Sequence, residues 1–232
     1  MRPGRFGLLL AIGALVAGCG VAGGSTQTDR PALDATITAV RIDNDSGALT
    51  VRTGAPALER TLRFRGTAPT QPTHRIEGGT LVLGTCGYNC SVDYTVTVPA
   101  GLPVSGRTAS GALSLTGVGR VDVETSSGAV EIDGADAVRV NTSNGAITGR
   151  GLRGTVDATT SNGRIELALT TAQDVRARTS NGAITLTVPR AAYRVVVSTT
   201  NGNRDLRIPD DPAGAHTLDL TTTNGAVTVA PV

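Results

Sequence analysis

Few side chains in this chain of 232 residues are arranged for catalysis. The two histidines, His74 and His216, are far apart in the sequence, and we expect both in surface loops outside the regular strands. The sequence contains no nucleophile elbow, no zinc-binding histidine pair and no phosphate-binding glycine loop. It therefore predicts no catalytic, metal or cofactor site, and a protein that is not an enzyme.

The acidic residues leave one alternative, a carbohydrate-active β-helix enzyme acting on an envelope or extracellular polysaccharide. Such an enzyme needs carboxylates that form an acid–base pair or bind calcium. The candidates are Asp122, Glu124, Glu131 and Asp133. The local alternation of polar and apolar residues places all four side chains outward. There Arg139 and Arg176 would neutralise the acidic column instead of leaving a pocket.

The first of the three cysteines follows an export signal. Basic residues and a short apolar run over residues 8–16 precede small residues and then Cys19. The run is too short to span a bilayer and is typical of a cleaved leader. We interpret residues 1–18 as a signal peptide and residues 19–33 as a flexible tether.

The segment Leu15-Val16-Ala17-Gly18-Cys19 resembles the bacterial lipobox. The resemblance implies that Cys19 becomes an acylated N-terminus, so that the membrane is a partner through the lipid. The protein would then be anchored at the extracytoplasmic face of the cell membrane. A plain secretory signal with an incidental cysteine is the alternative.

The other two cysteines, Cys86 and Cys90, are close in sequence. An exported protein meets an oxidising compartment, so the sequence predicts a disulfide that closes a small loop. A metal or redox pair is the alternative. It is disfavoured because two cysteines without a nearby histidine do not supply the four ligands of a structural zinc.

Charge and composition argue against a nucleic-acid partner. All 21 basic residues are arginine and two of them lie in the leader, so 19 arginines balance 19 acidic residues in the rest of the chain. Nucleic-acid binding would need a basic excess or a clustered basic patch. Aromatic residues make up 2% of the chain, which leaves few platforms for stacking on sugars.

A short repeat marked by glycine is the strongest pattern in the sequence. The repeated glycines are Gly47, Gly111, Gly128, Gly145, Gly163, Gly182, Gly202 and Gly225. With a few exceptions, apolar residues alternate with polar ones on both sides of the glycine, and from the second unit onward a threonine stands three residues before it. Each unit therefore reads as strand, turn and strand with one apolar face.

Two architectures fit these units: an antiparallel meander with Asn-Gly hairpin turns, and a parallel β-solenoid with one unit per coil. We favour the solenoid, because stacked coils explain the columns of threonine, asparagine and valine, and asparagines in such a column can bond to one another. The prediction is an all-β chain with a single solenoid of about seven to eight coils over residues 34–232. Residues 57–98 would form an N-terminal β-hairpin annex that caps an open edge.

Two local features refine this picture. Six residues before the glycine, the series runs Asp122, Arg139, Asp157, Arg176, Val196 and Asp219. Stacking in register would place the first four as an exposed ladder of alternating charge, with neighbours about 4.8 Å apart. In the unit at Gly202, charged residues occupy apolar positions over residues 203–205, so we expect a bulge or outward turn there.

The lead-in Tyr94-Thr95-Val96-Thr97-Val98-Pro99-Ala100-Gly101 and the serial Thr-Ser-Asn-Gly-Ala-Ile units resemble the bacterial "putative adhesin" family of β-strand-repeat proteins, a domain of unknown function. The resemblance covers about residues 35–230. It implies a β-solenoid at the cell envelope and transfers no functional residues. We therefore expect a lipid-anchored protein with a non-catalytic role in adhesion, binding or envelope stress, and an envelope polymer or surface protein as partner.

Overall fold

Two facing β-sheets form the molecule. The computed structural model describes residues 24–232, so the predicted signal peptide and Cys19 lie outside the described residues. Strands are numbered in chain order. The ten-stranded sheet contains β2 (Ala39–Ser46), β5 (His74–Glu77), β6 (Thr80–Gly84), β8 (Val104–Ser110), β10 (Arg120–Ser127), β12 (Ala137–Asn144), β14 (Val156–Asn162), β16 (Val175–Asn181), β18 (Tyr193–Asn201) and β20 (His216–Asn224). The eleven-stranded sheet contains β1 (Ser25–Asp29), β3 (Leu49–Thr53), β4 (Ala57–Phe64), β7 (Cys90–Val98), β9 (Leu113–Thr116), β11 (Val130–Asp133), β13 (Ile147–Leu152), β15 (Ile165–Leu169), β17 (Ile184–Val188), β19 (Arg204–Leu206) and β21 (Val227–Pro231).

The repeat units stack as parallel coils, which confirms the solenoid and excludes the antiparallel meander. Each unit places one strand in each sheet, with the glycine at the turn between them. Equivalent positions pair across neighbouring coils: Val121 opposes Val138, and Thr125 opposes Thr142. Because register is kept, the apolar positions of every unit fall on the same inner face.

The order of the coils in space differs from their order in sequence at both ends. At the C-terminal end, β20 and β21 insert between the coil β16–β17 and the coil β18–β19. At the other end, β2 and β3 insert between β6–β7 and β8–β9. Residues 24–232 thus form nine two-stranded coils, slightly more than the seven to eight predicted.

The region 57–98 is only partly an annex. β4 pairs antiparallel with β7, and β5 pairs antiparallel with β6, as expected of a hairpin cap. However, β6 and β7 also pair in parallel with β2 and β3 and so form a complete coil. The antiparallel strands β4 and β5 add to this end coil and cover its edges.

The unit at Gly202 contains no bulge, and that prediction was wrong. β19 pairs in register with β21, so that Arg204 opposes Val227 and Leu206 opposes Val229. Its charged residues are tolerated because this unit is the last coil of the stack, where inward positions remain exposed. Charge on an open strand edge also opposes end-to-end pairing between molecules.

The predicted tether is a strand over part of its length. Residues 25–29 form β1, which pairs antiparallel with β4. Both oxygens of the Asp29 carboxylate accept hydrogen bonds from the Arg60 guanidinium, at 2.6 and 2.8 Å. A bidentate ion pair and the β-pairing of five residues with β4 hold this segment against the solenoid. It therefore differs from the flexible tether that its composition suggested.

The core is a narrow aliphatic layer with one tyrosine near each end. The Tyr94 hydroxyl donates to the carbonyls of Thr73 and Gly84, at 2.6 and 2.8 Å. Burial raises the pKa of Tyr94 to about 12. Tyr193 is also buried and donates to the carbonyl of Pro189 at 3.1 Å.

The coils approach most closely at the repeated glycines. A methyl group added at Gly145 would lie 2.0 Å from the carbonyl oxygen of Gly128 in the preceding coil. The buried threonine column supports the same turn, since the Thr160 hydroxyl donates to the Gly145 carbonyl at 3.1 Å. At this turn the glycine permits the close approach and the threonine satisfies the carbonyl exposed by it. Thr179, Thr199 and Thr222 make the same bond to a glycine carbonyl of the neighbouring coil.

Candidate functional site

The outer face of the ten-stranded sheet carries the most organised group of charged side chains. Parallel register places Asp122 opposite Arg139, Arg139 opposite Asp157, and Asp157 opposite Arg176. The next strand in space is β20, so Arg176 opposes Asp219. We call these five residues (Asp122, Arg139, Asp157, Arg176 and Asp219) the charge row.

The sequence prediction did not include Asp219, the fifth member of the charge row. Along the chain Val196 follows Arg176, but the structure places Val196 beyond Asp219, on the last strand of the sheet. The alternation of sign was the signal that could have found it, because only Asp219 continues the series after Arg176. The row therefore alternates over five strands instead of four.

Neighbouring side chains of the charge row form no ion pair with one another. Asp219 pairs with Arg178, two residues further along β16, at 2.6 Å. Among the ion pairs of residues 24–232, none involves Arg139 or Arg176 within 4.0 Å. These two guanidinium groups thus keep donors that an external ligand could use.

A shallow groove of about 450 Å³ follows the charge row across the strands. One rim is the charge row, and the other includes Arg120, Thr155, Asp174 and Thr217. Buried valines one residue from each rim lie between them. A second groove begins at Asp122 and continues along the same face past Glu124 toward β2. The face is therefore long, polar and open.

The four candidate carboxylates do not form one site. Asp122 and Glu124 lie on β10 in the ten-stranded sheet, whereas Glu131 and Asp133 lie on β11 in the eleven-stranded sheet. All four are exposed, as predicted from the alternation. The two pairs point away from opposite faces of the solenoid. No group of three or more potential metal-ligating side chains occurs within the described part of the chain.

The histidines are placed differently from the prediction. Each is the first residue of a strand, His74 in β5 and His216 in β20, and both are half-buried. Because each histidine lies within a strand, part of its ring is covered by the neighbouring residues. The pKa of His74 is lowered by this burial and, to a lesser extent, by the nearby Arg60 guanidinium. Eight strand spacings, or about 38 Å, separate β5 from β20, so the two rings cannot act together.

Cys86 and Cys90 form a disulfide, with 5.7 Å between their Cα atoms. The intervening turn includes Asn89, whose φ of 56° is the only positive value among the non-glycine residues described. Tyr88 stands at the tip of this loop and is 95% exposed.

An asparagine ladder lines one edge of the turns. Along the spatial series Asn144, Asn162, Asn181, Asn224 and Asn201, each side-chain amide N–H donates to the amide oxygen of the preceding coil, at 2.8 to 2.9 Å. This confirms the side-chain bonding expected of the asparagine column. The backbone N–H groups of four of the following glycines donate in the opposite direction, to the asparagine carbonyl of the next coil: Gly145, Gly163, Gly182 and Gly225. Within residues 24–232, no backbone acceptor faces the N–H of Gly202, which lies on the last coil.

The fold and this face define a parallel β-solenoid that displays a regular polar surface. The Toastrack DUF4097 family model matches residues 34–230, and the chain belongs to that family. The resemblance stated from the repeat units is confirmed at the level of the family.

Solved structures provide further similarities. A "putative adhesin" from Bacteroides fragilis is 14% identical with a TM-score of 0.49, and the match covers 90% of this chain and 97% of that one. A "putative adhesin" from Parabacteroides merdae is 13% identical with a TM-score of 0.46, covering 89% and 96%. No curated protein matches the sequence. Residues 24–232 include no helical segment that could span a bilayer.

Proposed function

We propose that this protein is a non-catalytic binding protein of the cell envelope, anchored by a lipid on Cys19, and that its charge row binds an extended polar polymer. The observation that supports the binding role is the groove beside Arg139 and Arg176, whose guanidinium groups have no carboxylate of residues 24–232 within 4.0 Å. Adhesion and a role in envelope stress would both use such a surface.

The geometry favours a linear ligand over a small molecule. The charge row crosses five neighbouring strands, a length of about 19 Å along the solenoid axis. The groove is open along its length and lacks the concave, apolar walls that enclose small ligands. Alternating arginine and aspartate side chains offer donors and acceptors in turn. Hydroxyl, amide and carboxylate groups of an envelope glycan match that pattern.

A binding experiment tests the charge row directly. The full chain, purified in detergent, is screened against envelope glycans, and the best ligand is titrated against the double variant Arg139→Gln/Arg176→Gln. Loss of two charge-assisted contacts is expected to weaken binding by at least about tenfold. The matched control is Arg150→Gln/Arg164→Gln, which removes the same charge from exposed positions outside the groove. Equal weakening by both double variants would refute the site.

The same mixtures test catalysis. Products of each glycan are followed by chromatography over a long incubation. Hydrolysis that Asp122→Asn or Glu124→Gln abolishes would establish the polysaccharide-degrading alternative instead of the binding role. Intact glycan with saturable binding is the expected result.

Lipid anchoring rests on the short apolar segment and the small residues before Cys19. Cys19→Ala removes the thiol that the lipid would occupy. We expect the variant to move from the membrane fraction to the soluble fraction of cells. A variant that stays in the membrane fraction would refute the anchor and leave the glycan experiment unaffected.

A further inference from the structure

The first described residues meet the disulfide loop at one corner of the solenoid. Ser25 pairs with Phe64, and Phe64 pairs with Cys90 across the next strand boundary. The N–H of Arg65 donates to the carbonyl of Asn89 at 3.2 Å. The start of β1 and the loop 86–90 are therefore about two strand spacings, or 10 Å, apart.

The chain before this corner is short. Four residues separate Cys19 from Gly24. A fully extended chain covers at most about 18 Å over those five peptide units. A methyl group at Gly24 would lie 3.2 Å from the Phe64 carbonyl, so Gly24 itself is packed against the end of β4. A lipid on Cys19 would hold this corner close to the membrane surface.

The corner projects a residue suited to that surface. Tyr88 is 95% exposed, whereas the other described aromatic residues of the chain are at most 9% exposed, apart from the half-buried histidine rings. A methyl group at Gly66 or at Gly87 would contact nothing within 4 Å, so the loops around Tyr88 stand clear of the body. The disulfide closes the loop and restricts its conformations in the free protein, so that the loop carrying Tyr88 loses less conformational entropy on binding.

The charge at this corner is also suited to contact with a membrane surface. Arg65 is exposed, and none of the ion pairs within residues 24–232 includes it. Arg63 is paired with Asp93. Tyrosine favours the boundary between hydrocarbon and water, because its ring is apolar and its hydroxyl is polar. Arginine close to a bilayer is attracted to anionic headgroups.

We propose that Tyr88 and Arg65 form a membrane-contact patch in which Tyr88 inserts at the bilayer interface next to the lipid anchor. The patch would fix the orientation of the solenoid, so that the end carrying β4 and β5 faces the membrane and the last coil, β18–β19, points away from it. This proposal rests on the lipid anchoring of Cys19 given above. It adds a protein contact to the lipid and predicts one preferred orientation.

Fluorescence can test the patch, because the chain contains no tryptophan. The full acylated chain carrying Tyr88→Trp is reconstituted into vesicles of phosphatidylcholine and phosphatidylglycerol. We expect a blue-shifted emission and quenching by lipids brominated near the headgroup. The control Val196→Trp places the probe at an exposed position on the last coil and should show neither effect.

Vesicle flotation separates failure of the patch from failure of the anchor. If the Tyr88→Trp chain floats with vesicles but its emission matches that of Val196→Trp, the patch is refuted and the anchor stands. If the same chain with Cys19→Ala floats equally well, the anchor is refuted. Emission that is shifted without lipid quenching would indicate a protein contact at Tyr88 and would also overturn the membrane assignment.

Discussion

The close approach of coils at the repeated glycines leads to a quantitative prediction for Gly145→Ala. The new methyl carbon would lie 2.0 Å from the Gly128 carbonyl oxygen. An ordinary carbon–oxygen contact needs about 3.3 Å, so the two coils must separate locally by more than about 1 Å. Backbone atoms on both sides resist this movement, because no flexible side chain can rotate away.

The separation stretches the hydrogen bonds on either side of the contact. The bond from the Gly128 N–H to the Asn144 carbonyl is 3.0 Å long, and that from Val130 to Ala146 is 2.9 Å. Both would exceed hydrogen-bonding distance after the shift. Two buried bonds lost at about 1–3 kcal/mol each, less about 0.5–1 kcal/mol for the reduced entropy of the unfolded chain, give a net loss of about 1–5.5 kcal/mol.

Urea unfolding followed by far-UV circular dichroism measures this loss as a change in the free energy of unfolding. The matched control is Gly149→Ala in the same coil, where the methyl would meet the ends of the Leu152 and Leu167 side chains at 2.8 and 3.0 Å. Those ends can rotate, so we expect a loss of about 1 kcal/mol. If Gly145→Ala is no more destabilising than Gly149→Ala, the steric explanation of the repeated glycine is wrong.

Three further predictions follow from buried or edge polar groups. Thr160→Val should lower the free energy of unfolding by about 1 kcal/mol, because the Thr160 hydroxyl bonds to the preceding coil. Thr142→Val should leave it unchanged, because the Thr142 hydroxyl is buried without a partner in the described chain. Urea unfolding of the two variants measures the difference. The contribution of Tyr94 to stability should be constant up to pH 10 and fall between pH 10 and 12, because the folded state keeps the Tyr94 proton (pKa about 12) more tightly than the unfolded state (pKa 10.0). Tyr94→Phe should remove this contribution to the alkaline loss of stability, about 3 kcal/mol, in urea unfolding at each pH. On ageing at neutral pH, Asn201 should deamidate before the four inner asparagines of the ladder, because the free N–H of Gly202 can attack its side-chain carbonyl carbon and release ammonia. Tryptic peptides separate all five Asn-Gly pairs for mass spectrometry, and equal rates in the folded protein would contradict the protection argument.

The alternation of residues within each unit was sufficient to predict the inner and outer faces. A period of two in a strand leaves few choices for Val121 or Asp122, because one must be buried and the other exposed. The disulfide could also be predicted, because Cys86 and Cys90 are the two cysteines that remain once Cys19 is assigned to the lipid, and an exported protein meets an oxidising compartment. The function of the threonine column was not predicted, because the carbonyl that Thr160 satisfies belongs to another coil.

The sequence by itself determined that the chain is a stack of glycine-marked units with an outward row of alternating charge. Only the tertiary structure decided which units are neighbours. Similar units have similar stacking energies, so the repeat pattern cannot show that β20 lies between β16 and β18. The docking of β1 beside the disulfide loop was likewise decided in three dimensions, because it depends on an ion pair and strand contacts between segments that are distant in sequence.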